Sequence, residues 1–180
     1  IDLYPADLAS QIDALNEHVY HALNNGVYKA GFASSQQAYE EACIAVFKTL
    51  DELEDRLGSD GPFLFGERLT ESDIRLFVTL VRFDASYHGL FKCNLRRIAD
   101  YPHLSDYMKR ILAIDGIAST VNLQHIKAGY YSIKALNPVG AACVSHRPVS
   151  IARNREDAIC CVCTWVNQYE APFVGFMRIS

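Results

Sequence analysis

Three groups of side chains in this sequence have the types and spacing to do chemistry. Tyr28 sits between Gly26 and Gly31, a connection where a rigid scaffold presents a side chain, and its phenol pairs a flat apolar face with a hydroxyl that donates or accepts. Cys93 lies beside Lys92, Arg96 and Arg97, whose positive charge favours thiolate, although a small buried cysteine is the commoner state. The same basic trio suits either a carboxylate ligand or an ion-paired face. Cys143, Cys160, Cys161, Cys163 and His146 offer thiolate and imidazole, but Cys-Cys-x-Cys lacks the paired C-x2-C spacing of structural zinc. His18 and His21, three apart on one helix face, read as solvated side chains. No metal site is therefore expected.

The elements that must position these groups follow from periodicity. Leu8, Ile12, Leu15, Val19 and Leu23 recur at steps of three to four, one face of a helix that Asn24-Asn25-Gly26 is expected to stop. A second helix starts near Ser34, with Gln37 completing a capping box, and carries Ala42, Val46, Leu50, Leu53 and Leu57 to an expected left-handed cap at Gly58. At Leu69-Thr70-Glu71-Ser72-Asp73-Ile74, Thr70 and Asp73 form a capping box, with Leu69 and Ile74 spaced as a hydrophobic staple. Their role is structural capping, and a third helix starts at Glu71. Pro102 opens a fourth helix, with Leu104, Tyr107, Met108, Ile111 and Leu112 inward. Asp115-Gly116 breaks the chain, and Ile117 to Lys127 reads as a last, shorter helix. No segment alternates with period two. The fold class is all-α: a helical bundle over residues 1–140.

From residue 141 the character changes. Residues 141–180 hold four of the six cysteines and the single Trp, and no helical period can be counted there. This divergent Cys-rich tail reads either as a short strand pair around 158–166 or as an irregular, disordered or out-of-frame end. The first residue, Ile1, and the extended lead-in that follows read like the middle of a longer polypeptide.

Composition excludes several classes of function. Half of the 180 residues are apolar, enough for one core, yet no apolar run approaches the roughly 20 residues of a spanning helix. A net charge of −4 without a dense Lys/Arg stripe argues against a nucleic-acid partner. Two cysteines in the first 140 residues suit a reducing, cytoplasmic setting.

Several segments together carry a resemblance: Asn24 to Ala33, Phe63 to Phe77, Arg82-Phe83-Asp84, Phe91 to Pro102 and His125-Ile126-Lys127. They are similar to the C-terminal helical domain of the glutathionyl-hydroquinone reductases, the xi-class branch of the glutathione transferases. The resemblance covers roughly residues 2–140 and implies a glutathione transferase C-terminal-like bundle. It implies a homodimer that takes a glutathionyl-hydroquinone, with glutathione as co-substrate. In that family a thioredoxin-like N-terminal domain binds glutathione and supplies the nucleophilic Cys, usually followed by Pro. That Cys takes the glutathionyl sulfur as a mixed disulfide, and a second glutathione frees oxidised glutathione. No Cys-Pro occurs here, so no catalytic residue is assigned. The resemblance makes Tyr28, Tyr130 and Tyr131 substrate-binding phenols of a quinol pocket. The sequence departs from the family at Gly129, where a His is usual, and at Ile133-Lys134, where Ser-His is usual. The alternative is a non-catalytic, transferase-like helical domain used for protein association.

Overall fold

The computed structural model describes residues 1–141, and every statement below concerns those residues. They form eight α-helices: α1 (Ala9–Val19), α2 (Gly26–Gly31), α3 (Gln36–Asp60), α4 (Glu71–Arg82), α5 (His88–Leu90), α6 (Pro102–Leu112), α7 (Ile117–Thr120) and α8 (Leu123–Tyr131). Two π-helical turns, Tyr20–Asn24 and Phe83–Tyr87, join α1 towards α2 and α4 to α5. No strand forms; the only pairing is two isolated bridges in the tight 63–68 loop. The all-α expectation holds. The expected tail of 141–180, with its cysteines, His146 and Trp165, lies almost wholly outside the described residues.

The core is built by α3 with the faces that surround it. Val46, Phe47, Leu50, Leu53 and Leu57 of α3 meet Leu76, Phe77 and Leu80 of α4 and Leu104, Tyr107 and Ile111 of α6, all buried. At 25 residues α3 is about 37 Å long at 1.5 Å per residue, so it spans the bundle. It also caps its neighbour: the Glu54 carboxylate accepts the amides of His103 (2.8 Å) and Leu104 (2.7 Å), two of the orphan donors at the start of α6. Pro102 fills the first position of α6, where its missing N–H costs nothing.

Asp73 and Thr70 close the start of α4 as anticipated. The buried carboxylate accepts the Thr70 amide (2.8 Å), the Thr70 hydroxyl (3.0 Å), the Leu64 amide (3.0 Å) and the Tyr107 hydroxyl (3.2 Å). One side chain thus caps α4 and ties it to the 61–70 loop and to α6. Burial raises its pKa above the ordinary carboxylate value, against the pull of these donors. Ile74, by contrast, is 46% exposed, so it closes the staple only loosely.

Four boundaries differ from the sequence expectation. Asn24-Asn25-Gly26 does not stop the first helix: Asn25 is right-handed helical, and the chain runs on through the π-turn into α2. Gly26 serves closeness instead, since a Cβ there would lie 3.0 Å from Val46 of α3. Tyr28 is consequently on a helix rather than in a loop. Gly58 is not the cap of α3; it lies inside the helix under His103, and Gly61, at φ 120°, takes the turn. The cap at the other end is Ser35, whose hydroxyl accepts the Ala38 amide at 3.1 Å. The last helix is split. Asn122 caps α8 by accepting the His125 amide at 2.9 Å, and α8 extends to Tyr131 instead of ending at Lys127.

Candidate functional site

The second π-turn sets the geometry of the site. In an α-helix the buried stripe through Leu80 and Phe83 continues to Tyr87, which reads as ordinary core. Bonding of i to i+5 in a π-turn brings residues five apart towards one face, and Arg82 at the end of α4 and Tyr87 line the same cleft. The first π-turn does the same service across the cleft, where Tyr20 and Asn24 share a wall with Tyr28. The Asn24 amide donates to the Thr79 hydroxyl (2.5 Å) and the Arg75 carbonyl (3.1 Å), fixing that wall to α4.

Three phenols from three elements meet there. The Tyr130 hydroxyl of α8 lies 2.7 Å from that of Tyr28 on α2 and 2.7 Å from that of Tyr87, while Tyr28 and Tyr87 are 3.4 Å apart. Phe91, fully buried, sits beneath all three, with ring centroids 5.2 Å from Tyr28, 5.2 Å from Tyr87 and 5.8 Å from Tyr130. These tilted and edge-on contacts are the favoured aromatic arrangements. Gly31 makes this seat possible: a Cβ there would fall 2.6 Å from Cγ of Phe91.

Burial is graded across the trio. Tyr87 is buried, Tyr130 half-buried and Tyr28 37% exposed. Burial first, then the bonds to Tyr130 and Tyr28, push the Tyr87 phenol far above its ordinary pKa, so it stays protonated. Burial also raises Tyr130, with Arg82 pulling the other way. Three oxygens bring three protons, and the two 2.7 Å contacts consume two of them. The third is held only by the long 3.4 Å contact between Tyr28 and Tyr87, so it can turn to a ligand, and a donor chain such as Tyr87 to Tyr130 to Tyr28 strengthens it by polarisation.

The trio faces open space. A cleft of about 560 Å³ is bounded by Tyr20, Tyr28, Arg75, Arg82, Tyr87 and Tyr130. A second of about 450 Å³ lies on the other side of Tyr130, with His125, Ile126 and Ile133. Of the residues expected at a pocket, Tyr28 and Tyr130 are brought together. Tyr131 is directed elsewhere: its hydroxyl lies 3.2 Å from where a Cβ on Gly89 would stand, and it is not among the residues lining either cleft. Tyr87, Phe91 and Arg82 were not anticipated there. Arg82 and Phe91 fall in segments that carry the resemblance, whereas Tyr87 lies between two of them and α-helical periodicity assigns it to the core.

The other candidates resolve as structure. Cys93 and Cys43 are free, buried thiols; burial, then the neighbouring Cys43, pushes Cys93 up to about 12, the opposite of an activated thiolate. Arg96 pairs with Asp51 and lies over the Tyr101 ring at 4.4 Å, and Arg97 pairs with Asp100 at 2.6 Å. His18 bonds Glu52 at 2.9 Å. Among the described residues no group of His, Cys, Asp and Glu could hold a metal, and no helix is long and apolar enough to cross a membrane.

Known proteins resemble this chain in sequence and in fold. Residues 36–110 match the family model of the glutathione S-transferase C-terminal domain. The chain is 56% identical over 140 residues to the glutathionyl-hydroquinone reductase PcpF of Sphingobium chlorophenolicum, covering 77% of this chain and 44% of that protein. It is 51% identical over 140 residues to the glutathionyl-hydroquinone reductase YqjG of Escherichia coli, covering 77% and 42%. The glutathione-bound structure of YqjG superposes with a TM-score of 0.78 at 49% identity, over 80% of this chain and 47% of that one. Glutathione transferase Xi 1 of Trametes versicolor gives 0.77 at 50% identity, over 80% and 50%. The chain thus spans less than half the length of the two reductases it matches. Its helical body belongs to the glutathione transferase C-terminal domain family, in the branch of the glutathionyl-hydroquinone reductases and xi-class transferases.

Proposed function

We propose that residues 1–140 are the substrate-lining half of a glutathione-dependent reductase that converts glutathionyl-hydroquinones to hydroquinones and releases oxidised glutathione. The observation that carries this reading is the phenol trio of Tyr28, Tyr87 and Tyr130, which leaves one hydroxyl proton in a long 3.4 Å contact, free to turn to a ligand beside an aromatic floor at the mouth of a cleft. An aryl ring stacks on such phenols, and a quinol oxygen accepts their free proton. As the carbon–sulfur bond breaks, charge or keto character moves onto that oxygen, and a fixed donor that tightens with it lowers the barrier. The sulfur chemistry belongs to a thioredoxin-like half bearing the nucleophilic Cys and most of the glutathione contacts. This chain supplies ring recognition. A homodimer in the cytoplasm completes the proposal, a setting that suits the two buried free thiols.

Titrating the 180-residue chain with 1,4-hydroquinone, followed by NMR of the tyrosine ring signals, tests the reading. Shifts confined to Tyr28, Tyr87 and Tyr130 are expected, with affinity falling about fivefold in Tyr28→Phe through loss of one neutral hydrogen bond. Shifts scattered over tyrosines remote from the cleft would remove this assignment.

A further inference from the structure

Arg82 stands where the cavities converge. It borders the 560 Å³ cleft, the 450 Å³ cleft behind Tyr130, and a third of about 270 Å³ between α4 and the start of α8. Its guanidinium donates to the Val78 carbonyl one turn back, which uses one of five N–H donors. Among the described residues it has no carboxylate partner within ion-pair distance. Four other arginines, Arg68, Arg75, Arg96 and Arg97, are all paired with acids. Arg56 and Arg110 each donate to a carbonyl of the 61–65 loop and line none of these three clefts. The nearest acid in sequence, Asp84, gives both oxygens to the amides of Ile98 (2.6 Å) and Ala99 (3.1 Å) and is not available. The charge of Arg82 favours the end of α4, yet most of its donors remain unused beside the phenols.

We propose that Arg82 is an anion-recognising subsite of this cleft, and that the preferred ring carries an acidic substituent, a carboxylate, beside its quinol hydroxyls. This rests on the reading of the phenol trio as a quinol site. A ring seated with one hydroxyl on Tyr28 or Tyr130 directs a neighbouring substituent towards the guanidinium, whose planar fork matches a carboxylate. The cation also lies close enough to act on the Tyr130 phenol, so one residue serves both the ring and its donor.

The test measures affinities of the 180-residue chain for 1,4-hydroquinone, 2,5-dihydroxybenzoate and the neutral analogue 2-(hydroxymethyl)hydroquinone. The carboxylate ring is expected to bind about three- to tenfold more tightly than the neutral pair, the range of a partly exposed charge-assisted contact, and added salt should shrink the preference. Arg82→Gln should bring the ratio close to one, and Arg82→Lys should keep part of it. Equal affinities in the parent chain overturn the anion subsite and leave the quinol site standing. A preference that survives in Arg82→Gln places the cation elsewhere and overturns it too. No binding of any of the three rings overturns the quinol site and this inference with it. Should Arg82→Gln fail to fold, the Arg82→Lys ratio and the salt dependence of the parent decide: a preference insensitive to both is the overturning result.

Discussion

A phenol was singled out at Tyr28 because of the glycines around it, and it does reach the cleft, but by lying on a helix. Its closest functional companion, Tyr87, was hidden by its own burial. A tyrosine four and seven residues beyond the buried Phe83 and Leu80 reads as packing until the oxygen-to-oxygen distances are known. The hydroxyl of Tyr87 is expected to act from behind, holding Tyr130 in place without meeting a ligand. Tyr87→Phe should cost about 1 kcal/mol of stability in urea unfolding, because the partner oxygens it leaves can reach solvent through the cleft. Hydroquinone affinity should fall less in that variant than in Tyr28→Phe. A larger fall would move Tyr87 into direct ligand contact. The family resemblance implies a pocket role for Tyr131, and the tertiary structure directs its hydroxyl towards Gly89 instead. Adjacent residues on a helix differ by about 100°, so Tyr130 and Tyr131 point in different directions.

At the scale of elements, caps and buried stripes were legible, and glycine was the main source of error. Thr70, Asp73, Pro102 and Gly116 act as local chemistry dictates, since each satisfies or sets its own backbone. Gly26, Gly31 and Gly58 read as stops or turns, yet lie within helices and serve contact with another element. Two substitutions separate these roles. Gly31→Ala should destabilise the fold by about 1–3 kcal/mol despite the better helix propensity, because Phe91 is fully buried and cannot yield to a Cβ 2.6 Å away. Displacing Phe91 should also loosen the three phenols. Gly58→Ala meets only the exposed imidazole of His103 at 2.9 Å, which can swing aside, so a gain of about 0.5–1 kcal/mol is expected. Thermal unfolding of the two variants against the parent checks both signs. If Gly31→Ala were the more stable of the two, the seat of Phe91 would have to be redrawn.

At the scale of the molecule, the chain is a helical body spanning less than half of the reductases it resembles. Cys43 and Cys93 are buried, burial raises the Cys93 thiol, and no cysteine of the sequence is followed by Pro. The 180-residue chain supplied with glutathione and a glutathionyl-hydroquinone is therefore expected to give no hydroquinone above the uncatalysed rate, measured by chromatography. Robust turnover would show that the nucleophile lies within this chain and would end the division of labour proposed above. What the sequence determined by itself was the class of fold, the starts of α4 and α6, the inward faces and the family, because these depend on periodicity and on caps that act within one or two turns. What only the tertiary structure decided was the site. The i to i+5 turns, the convergence of α2, α4 and α8 on Tyr28, Arg82 and Tyr130, and the glycines that let helices approach are set by contacts between residues far apart in the chain, and no local pattern records a distance of that kind.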